Sequence, residues 1–136
     1  TMIKNKNYEL IEWMEYHLLL GIEHFYLYNN LGDDHVESFL RPYLDRGLVT
    51  IVQWPFVPLP NEHWNMIQSA SMNHMLKNFG PFNRWIGYFD VDEYFFPSDR
   101  HFSSILGGEK SLVQLFDEHV SSYRSAGAIQ FFNCPM

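Results

Sequence analysis

The sequence predicts an α/β fold in which helices flank a mainly parallel sheet. Strand-like and helix-like segments alternate along the 136 residues, and βαβ units of this kind pair their strands in parallel. The strand segments are apolar along nearly their whole length rather than alternating, as expected when helices cover both faces of a sheet. Nearly half the residues are apolar, with 12 Phe, 8 Tyr and 4 Trp, which supplies the core of one domain and argues against disorder.

Met2-Ile3 reads as the tail of a first strand. Ile11, Met14 and Leu18 at i, i+3, i+7 then mark a helix over Tyr8 to Leu20, with Gly21 as its stop. Ile22 to Tyr28 is aromatic and β-branched, hence a second strand, followed by the polar loop Asn29 to Asp34. Asp34 and Glu37 have capping-box spacing ahead of a helix whose apolar face is Val36, Phe39, Leu40, Tyr43 and Leu44. Pro42 must kink or restart that helix, and Gly47 ends it. Leu48 to Trp54 is a third strand, closed by Pro55 and an extended connection to Asn61. Ile67, Ala70, Ser71, His74 and Met75 share a face of a helix over Glu62 to Phe79, stopped by Gly80-Pro81. Arg84 to Asp90 reads as the fourth strand. A loop rich in Ser and Gly, a helix from Leu112 to Val120 and a last strand from Ala126 to Phe132 complete the pattern.

The composition excludes several functions. The net charge is −7, with nine Lys and Arg and no basic stretch, which argues against nucleic-acid binding. An acidic chain can still hold an anionic nucleotide when a cation mediates. Cys134 is the single cysteine, so neither an intrachain disulfide nor a cysteine zinc site is available. The seven histidines show no HxxxH or HExxH spacing and read as surface or core residues. No apolar run reaches the ~20 residues a membrane helix needs. The opening on Thr1 and the stop at Met136, just past a strand-like run, lead us to expect a fragment truncated at both ends.

The chemistry concentrates in Trp85 to Pro97, where an apolar segment delivers Asp90 and Asp92 at its far end. Burying an unpaired carboxylate is expensive, and two so close together cost more through mutual repulsion. A divalent cation with oxygen ligands would relieve both, and the carboxyl ends of parallel strands are where ligands bind. Successive side chains of a strand point to opposite faces, so Asp90 and Asp92 are expected to share a side while Val91 points back into the core. The competing reading is a turn cap beside a solvated Asp. Asn29 and Asn30 end the second strand; their amides could face a nucleobase or ribose, or could serve a turn. Lys4 and Asn5 hold the equivalent place after the first strand. Gln68 and Asn73 lie near the apolar face of a helix and need either a backbone partner or a ligand. Neither a Gly-rich phosphate loop nor a nucleophile elbow is present.

Taken in order, Lys4-Asn5, Glu12-Trp13-Met14-Glu15-Tyr16-His17, Leu20 to Asn30, Gly47-Leu48-Val49, Trp54-Pro55, Gln68 with Asn73, and Trp85 to Pro97 resemble a glycosyltransferase of the GT-A fold. The likeness is to glycosyltransferase family 92, the former domain of unknown function 23, and its family 2-like relatives. It runs over essentially the whole chain. The chain departs from these relatives at Lys6, where an acidic residue is common, and in the Asn29 to Asp34 loop, where Asp or Ser is.

The resemblance implies a Rossmann-like GT-A domain over residues 1–136 and a metal-dependent hexosyltransferase. Asp90 and Asp92 would be the DxD pair holding Mn²⁺ or Mg²⁺ on the donor diphosphate. Lys4, Asn5, Asn29, Asn30, Gln68 and Asn73 would stand around the nucleotide-sugar. It further implies a UDP-sugar donor, typically UDP-galactose, inversion at the sugar, and a glycan or other hydroxyl acceptor. The catalytic base and any membrane tether would lie outside this chain; the tethered form would be a Golgi or similar enzyme in a eukaryote, the untethered form cytoplasmic in a bacterium. Two alternatives stand beside this reading. One is a carbohydrate-binding or scaffold domain. The other is a haloacid-dehalogenase-like phosphatase, whose Asp-x-Asp normally opens its domain and is followed by Thr or Val rather than Glu93-Tyr94.

Overall fold

A computed structural model describes residues 1–121. Three parallel strands, β1 (Met2–Ile3), β2 (Phe25–Asn29) and β3 (Val49–Gln53), form a sheet in the order β1-β2-β3. Ile3 stands opposite Asn29, and Asn29 opposite Gln53, so the three strands end together at one edge. The helices are α1 (Asn7–Leu19), α2 (Val36–Phe39), α3 (Arg41–Asp45), α4 (Trp64–Asn78), α5 (Asp99–Leu106) and α6 (Leu112–Ser121). A 3₁₀ turn, Gly80–Phe82, follows α4. The chain divides into two units, Thr1–Phe96 and Pro97–Met136. The first holds the sheet and α1 to α4; the described part of the second holds α5 and α6.

Alternation along β2 explains why both faces are covered. Phe25 and Leu27 point to one side, into a core made with Leu10, Trp13 and Met14 of α1, Val36 of α2, and Leu40. Tyr26 and Tyr28 point to the other, where the Tyr26 ring lies 4.6 Å from that of Phe79 and Tyr28 Oη lies 2.9 Å from His74 Nδ1 on α4. Leu10, Met14, Leu27 and Leu40 are wholly enclosed; cutting any of them to alanine costs ~2–5 kcal/mol.

The helix stops act as their glycines require. Gly21 (φ 90°) and Gly47 (φ 68°) adopt the left-handed conformation that closes α1 and α3, a conformation a side chain would strain. The expected break at Pro42 is a restart: α2 ends at Phe39, and Pro42 sits in the first turn of α3, where a missing N–H costs nothing.

Several expectations need correction. The Asp34–Glu37 capping box does not form. His35, at φ 54°, is the N-cap residue and makes no side-chain cap, while the Glu37 carboxylate accepts a hydrogen bond from Gln53 Nε2. β2 begins at Phe25 rather than Ile22, and α4 at Trp64 rather than Glu62, with His63 Nδ1 accepting from the Asn65 N–H as its cap. The Ser/Gly-rich stretch contains α5, whose Phe102, Ile105 and Leu106 have helical spacing.

The largest correction is that Arg84 to Asp90 is not a strand. A parallel strand needs a ladder to pair with, and edge strand β1 offers only Met2–Ile3. Gly87 weakens the segment further: the Phe89 ring folds over it so closely that a Cβ there would lie 2.4 Å from a ring carbon. The apolar residues still pack, since Phe89 and Val91 both lie against the core. The expected strand from Ala126 to Phe132 lies outside the described residues.

Candidate functional site

Asp90 and Asp92 sit on a turn. The Glu93 N–H donates to the Asp90 carbonyl at 2.9 Å, and the Glu93 carboxylate accepts from the Asp90 N–H at 3.0 Å. The four residues Asp90-Val91-Asp92-Glu93 are thereby tied at both ends, with Asp in the first position that turns favour. This corrects the strand-alternation argument, because side chains do not alternate around a turn. Val91 nonetheless packs inward, while Asp90 and Asp92 are exposed. Although Asp90 is exposed as a residue, partial burial of its carboxyl, then the Glu93 and Asp92 charges, raise its pKa.

Beside the turn lies a cleft of about 120 Å³, lined by residues that include Tyr28, Gln68, Ser71, Met75, Tyr88 and Asp90. Small-molecule sites usually measure ~300–1,000 Å³, so this cleft encloses only part of such a ligand. Its lining residues include Asp90 and Glu93 and no Lys or Arg. Gln68 Nε2 donates to Asp90 Oδ1 at 3.5 Å, the one direct link between α4 and the acidic pair. Burial pushes the Tyr28 phenol up to about 12, so its hydroxyl keeps its proton and is no base at neutral pH.

The other sequence-predicted residues take separate places. Asn73 is exposed on α4 and does not line the cleft. Lys4 and Asn5 are exposed after β1; Asn5, at φ 52°, accepts from the Asp33 N–H at 2.9 Å. Asn29 is buried and accepts from the Gly32 N–H at 3.1 Å. Asn30, 2 % exposed, donates both amide hydrogens inward, to the Trp54 carbonyl at 2.7 Å and the Phe56 carbonyl at 2.8 Å. Lys4, Asn5, Asn29 and Asn30 thus gather at the carboxyl edge of the sheet, while Gln68 and Asp90 meet at the cleft.

Sequence reasoning assigned no task to three residues that touch the acidic segment. Trp13 Nε1 donates to the Glu93 carbonyl at 2.8 Å, and Tyr16 Oη to the Phe95 carbonyl at 2.8 Å. The Phe95 N–H points at His17 Nε2 at 3.5 Å, which leaves His17 Nδ1 to donate to the Trp13 carbonyl at 2.7 Å. Burial lowers the His17 pKa, with the Trp13 hydrogen bond opposing. The signal was present as three polar-tipped rings at i, i+3 and i+4, which share one helix face.

The donor set on the turn is carboxylate oxygen, the chemistry that suits Mg²⁺ and Mn²⁺. Among the described residues no group of three His, Cys, Asp or Glu side chains is arranged to hold a metal ion. Asp90 lines the cleft together with Glu93, whereas Asp92 does not. A cation held by Asp90 and Asp92 would have two protein ligands and would need the rest of its shell from a ligand's phosphates or from water, as Mg²⁺ commonly does.

The family model for glycosyltransferase family 92 matches residues 2–133. Three plant proteins named as family 92 glycosyltransferases are similar over most of the chain. The Ricinus communis protein is 32 % identical over 90 % of this chain and 20 % of its own length. The Arabidopsis thaliana protein is 31 % identical over 89 % and 20 %, and the rice protein 30 % identical over 78 % and 17 %. The chain thus spans about a fifth of the length of the curated relatives it matches. No solved structure matches it. A parallel α/β unit bearing the Asp-x-Asp turn, matched along nearly its whole length, identifies this chain as a member of glycosyltransferase family 92.

Proposed function

We propose that this chain forms the donor-binding part of a metal-dependent glycosyltransferase that takes a nucleotide-sugar, expected to be a UDP-hexose, and transfers the sugar to a hydroxyl of a glycan or similar acceptor. The observation that carries the proposal is the cleft, which has Asp90 and Glu93 among its lining residues and no Lys or Arg side chain. A diphosphate would be repelled there unless a divalent cation stood between the two sets of oxygens. When bound, that cation would act as a Lewis acid on the charge that develops on the departing diphosphate. Asp90 and Asp92 would hold the cation, and Gln68 would steady the Asp90 carboxylate through its amide. The neutral lining from Tyr28, Ser71 and Tyr88 would accept ligand hydroxyls. Lys4, Asn5, Asn29, Asn30 and Asn73 remain proposed contacts of the nucleoside half.

Thermal denaturation of the full-length protein tests this reading. A ligand that binds only the folded state stabilises it by mass action, by ~2.7 kcal/mol at a hundred times its Kd. UDP with Mn²⁺ should raise the melting temperature, neither alone should match the pair, and Asp92→Asn should abolish the shift. A wild-type protein indifferent to the pair would favour a carbohydrate-binding or scaffold role.

A further inference from the structure

The segment that carries the acidic pair lacks the sheet ladder that would ordinarily fix it, and α1 supplies the missing attachment. Trp13, Tyr16 and His17 meet backbone atoms of Glu93 and Phe95 across some 80 residues of sequence. They grip the chain one and three residues beyond Asp92. The turn from Asp90 to Glu93 is itself closed by two hydrogen bonds, so anchoring the Glu93 carbonyl anchors the whole turn. Rings complete the attachment. Tyr94 lies edge-on to Tyr16 at 5.1 Å and stacks on His17 at 6.0 Å, while Phe89 lies 5.7 Å from His17 on the other side of the acidic pair. Trp13 and His17 are buried, so the attachment is shielded from competing water.

We infer that Trp13, Tyr16 and His17 are positioning residues, which set the direction in which Asp90 and Asp92 present their carboxylates to a bound cation. The inference rests on the reading of that pair as cation ligands. None of the three touches the ligand; they act through the backbone of the turn, so their removal should change affinity for the cation rather than the identity of its ligands. The same helix begins just after Lys4 and Asn5. It therefore references the acidic turn to the carboxyl edge of the sheet, where the other candidate contacts lie.

The test uses the full-length protein with Tyr16→Phe, which keeps the ring and removes only the hydroxyl donor, and Trp13→Phe, which removes the indole N–H together with part of a buried ring. Two readouts are taken, amide hydrogen exchange along the chain and the Mn²⁺ concentration that half-saturates protection by UDP. Exchange should quicken about tenfold between Asp90 and Phe96, the loss of one hydrogen bond, with β2 and α4 unaltered. The Mn²⁺ requirement should rise about tenfold, the order found when groups behind a metal ligand are removed. Unchanged exchange at the turn overturns the inference. So does faster exchange throughout Thr1–Phe96 with an unchanged Mn²⁺ requirement, which would mark the three residues as core packing alone. A wild-type protein that ignores Mn²⁺ and UDP overturns the cation reading and the purpose assigned to the attachment together, and is told apart by failing before any variant is made.

Discussion

Replacing Asn30 separates a structural amide from a ligand contact. Its Nδ2 donates to the Trp54 and Phe56 carbonyls, so Asn30→Ala deletes two hydrogen bonds, each worth about 1 kcal/mol net. The penalty for orphaned acceptors is small here. The Trp54 carbonyl keeps a second donor in the Phe56 N–H at 2.8 Å, and Phe56 is exposed to water. The expected loss is therefore ~2–3 kcal/mol rather than the larger figure for a fully dry network. Asn30→Asp should cost more at neutral pH, because an ionised carboxylate would face two carbonyl oxygens. The gap between the two variants should close in acid, where a protonated Asp regains one donor. Urea denaturation followed by tryptophan fluorescence reads all three proteins, with Trp54 beside the altered contact. An Ala variant within about 0.5 kcal/mol of wild type that has lost UDP binding would refute the structural reasoning and leave the proposed nucleoside contact as the task of Asn30.

Two further outcomes follow from the same geometry. The lowered His17 pKa means that the unfolded chain takes up a proton at higher pH than the folded one. Stability contributed by neutral His17 should therefore be complete above the ordinary imidazole value near 6.5 and be lost as pH falls below it; denaturation midpoints from pH 5 to 8 should show that slope, and His17→Gln should flatten it. Leu31 is 47 % exposed at φ 55°, a conformation that costs a side chain ~1–2 kcal/mol, so Leu31→Gly should stabilise by up to about 1 kcal/mol after the flexibility glycine adds to the unfolded chain. A loss of stability in that variant would show the Leu31 side chain to be packed more tightly than its exposure indicates.

What the sequence made legible was whatever periodicity and steric punctuation control. The apolar stripe of α1, the uniform strands β2 and β3, and the stops at Gly21, Pro42 and Gly47 were all readable because each follows from local geometry. The segment from Arg84 to Asp90 was not, because an apolar run states that residues will be buried and is silent about whether a neighbouring strand is long enough to pair with them. The same gap misplaced Glu37. Its spacing from Asp34 suited a cap, yet Gln53 at the end of β3 brought a better donor from 16 residues away. At the site, residue type located the acidic pair, while the surroundings of the pair depended on long-range contacts that spacing cannot rank.

Those long-range contacts decide how the acidic turn is held. A strand would fix Asp90 and Asp92 by backbone ladders, which any sequence of suitable propensity can provide. Here Trp13, Tyr16 and His17 do so by side chains, and side-chain attachment is specific to residue type. The two modes differ in how they fail. Loss of one ladder bond leaves its neighbours aligned, whereas loss of the Trp13 indole N–H frees the Glu93 carbonyl, the point where the hydrogen-bonded turn meets α1. The demand for particular residues is therefore displaced from the turn to a helix some 80 positions earlier, which is why Trp13-Met14-Glu15-Tyr16-His17 and Asp90-Val91-Asp92-Glu93 act as one structural unit.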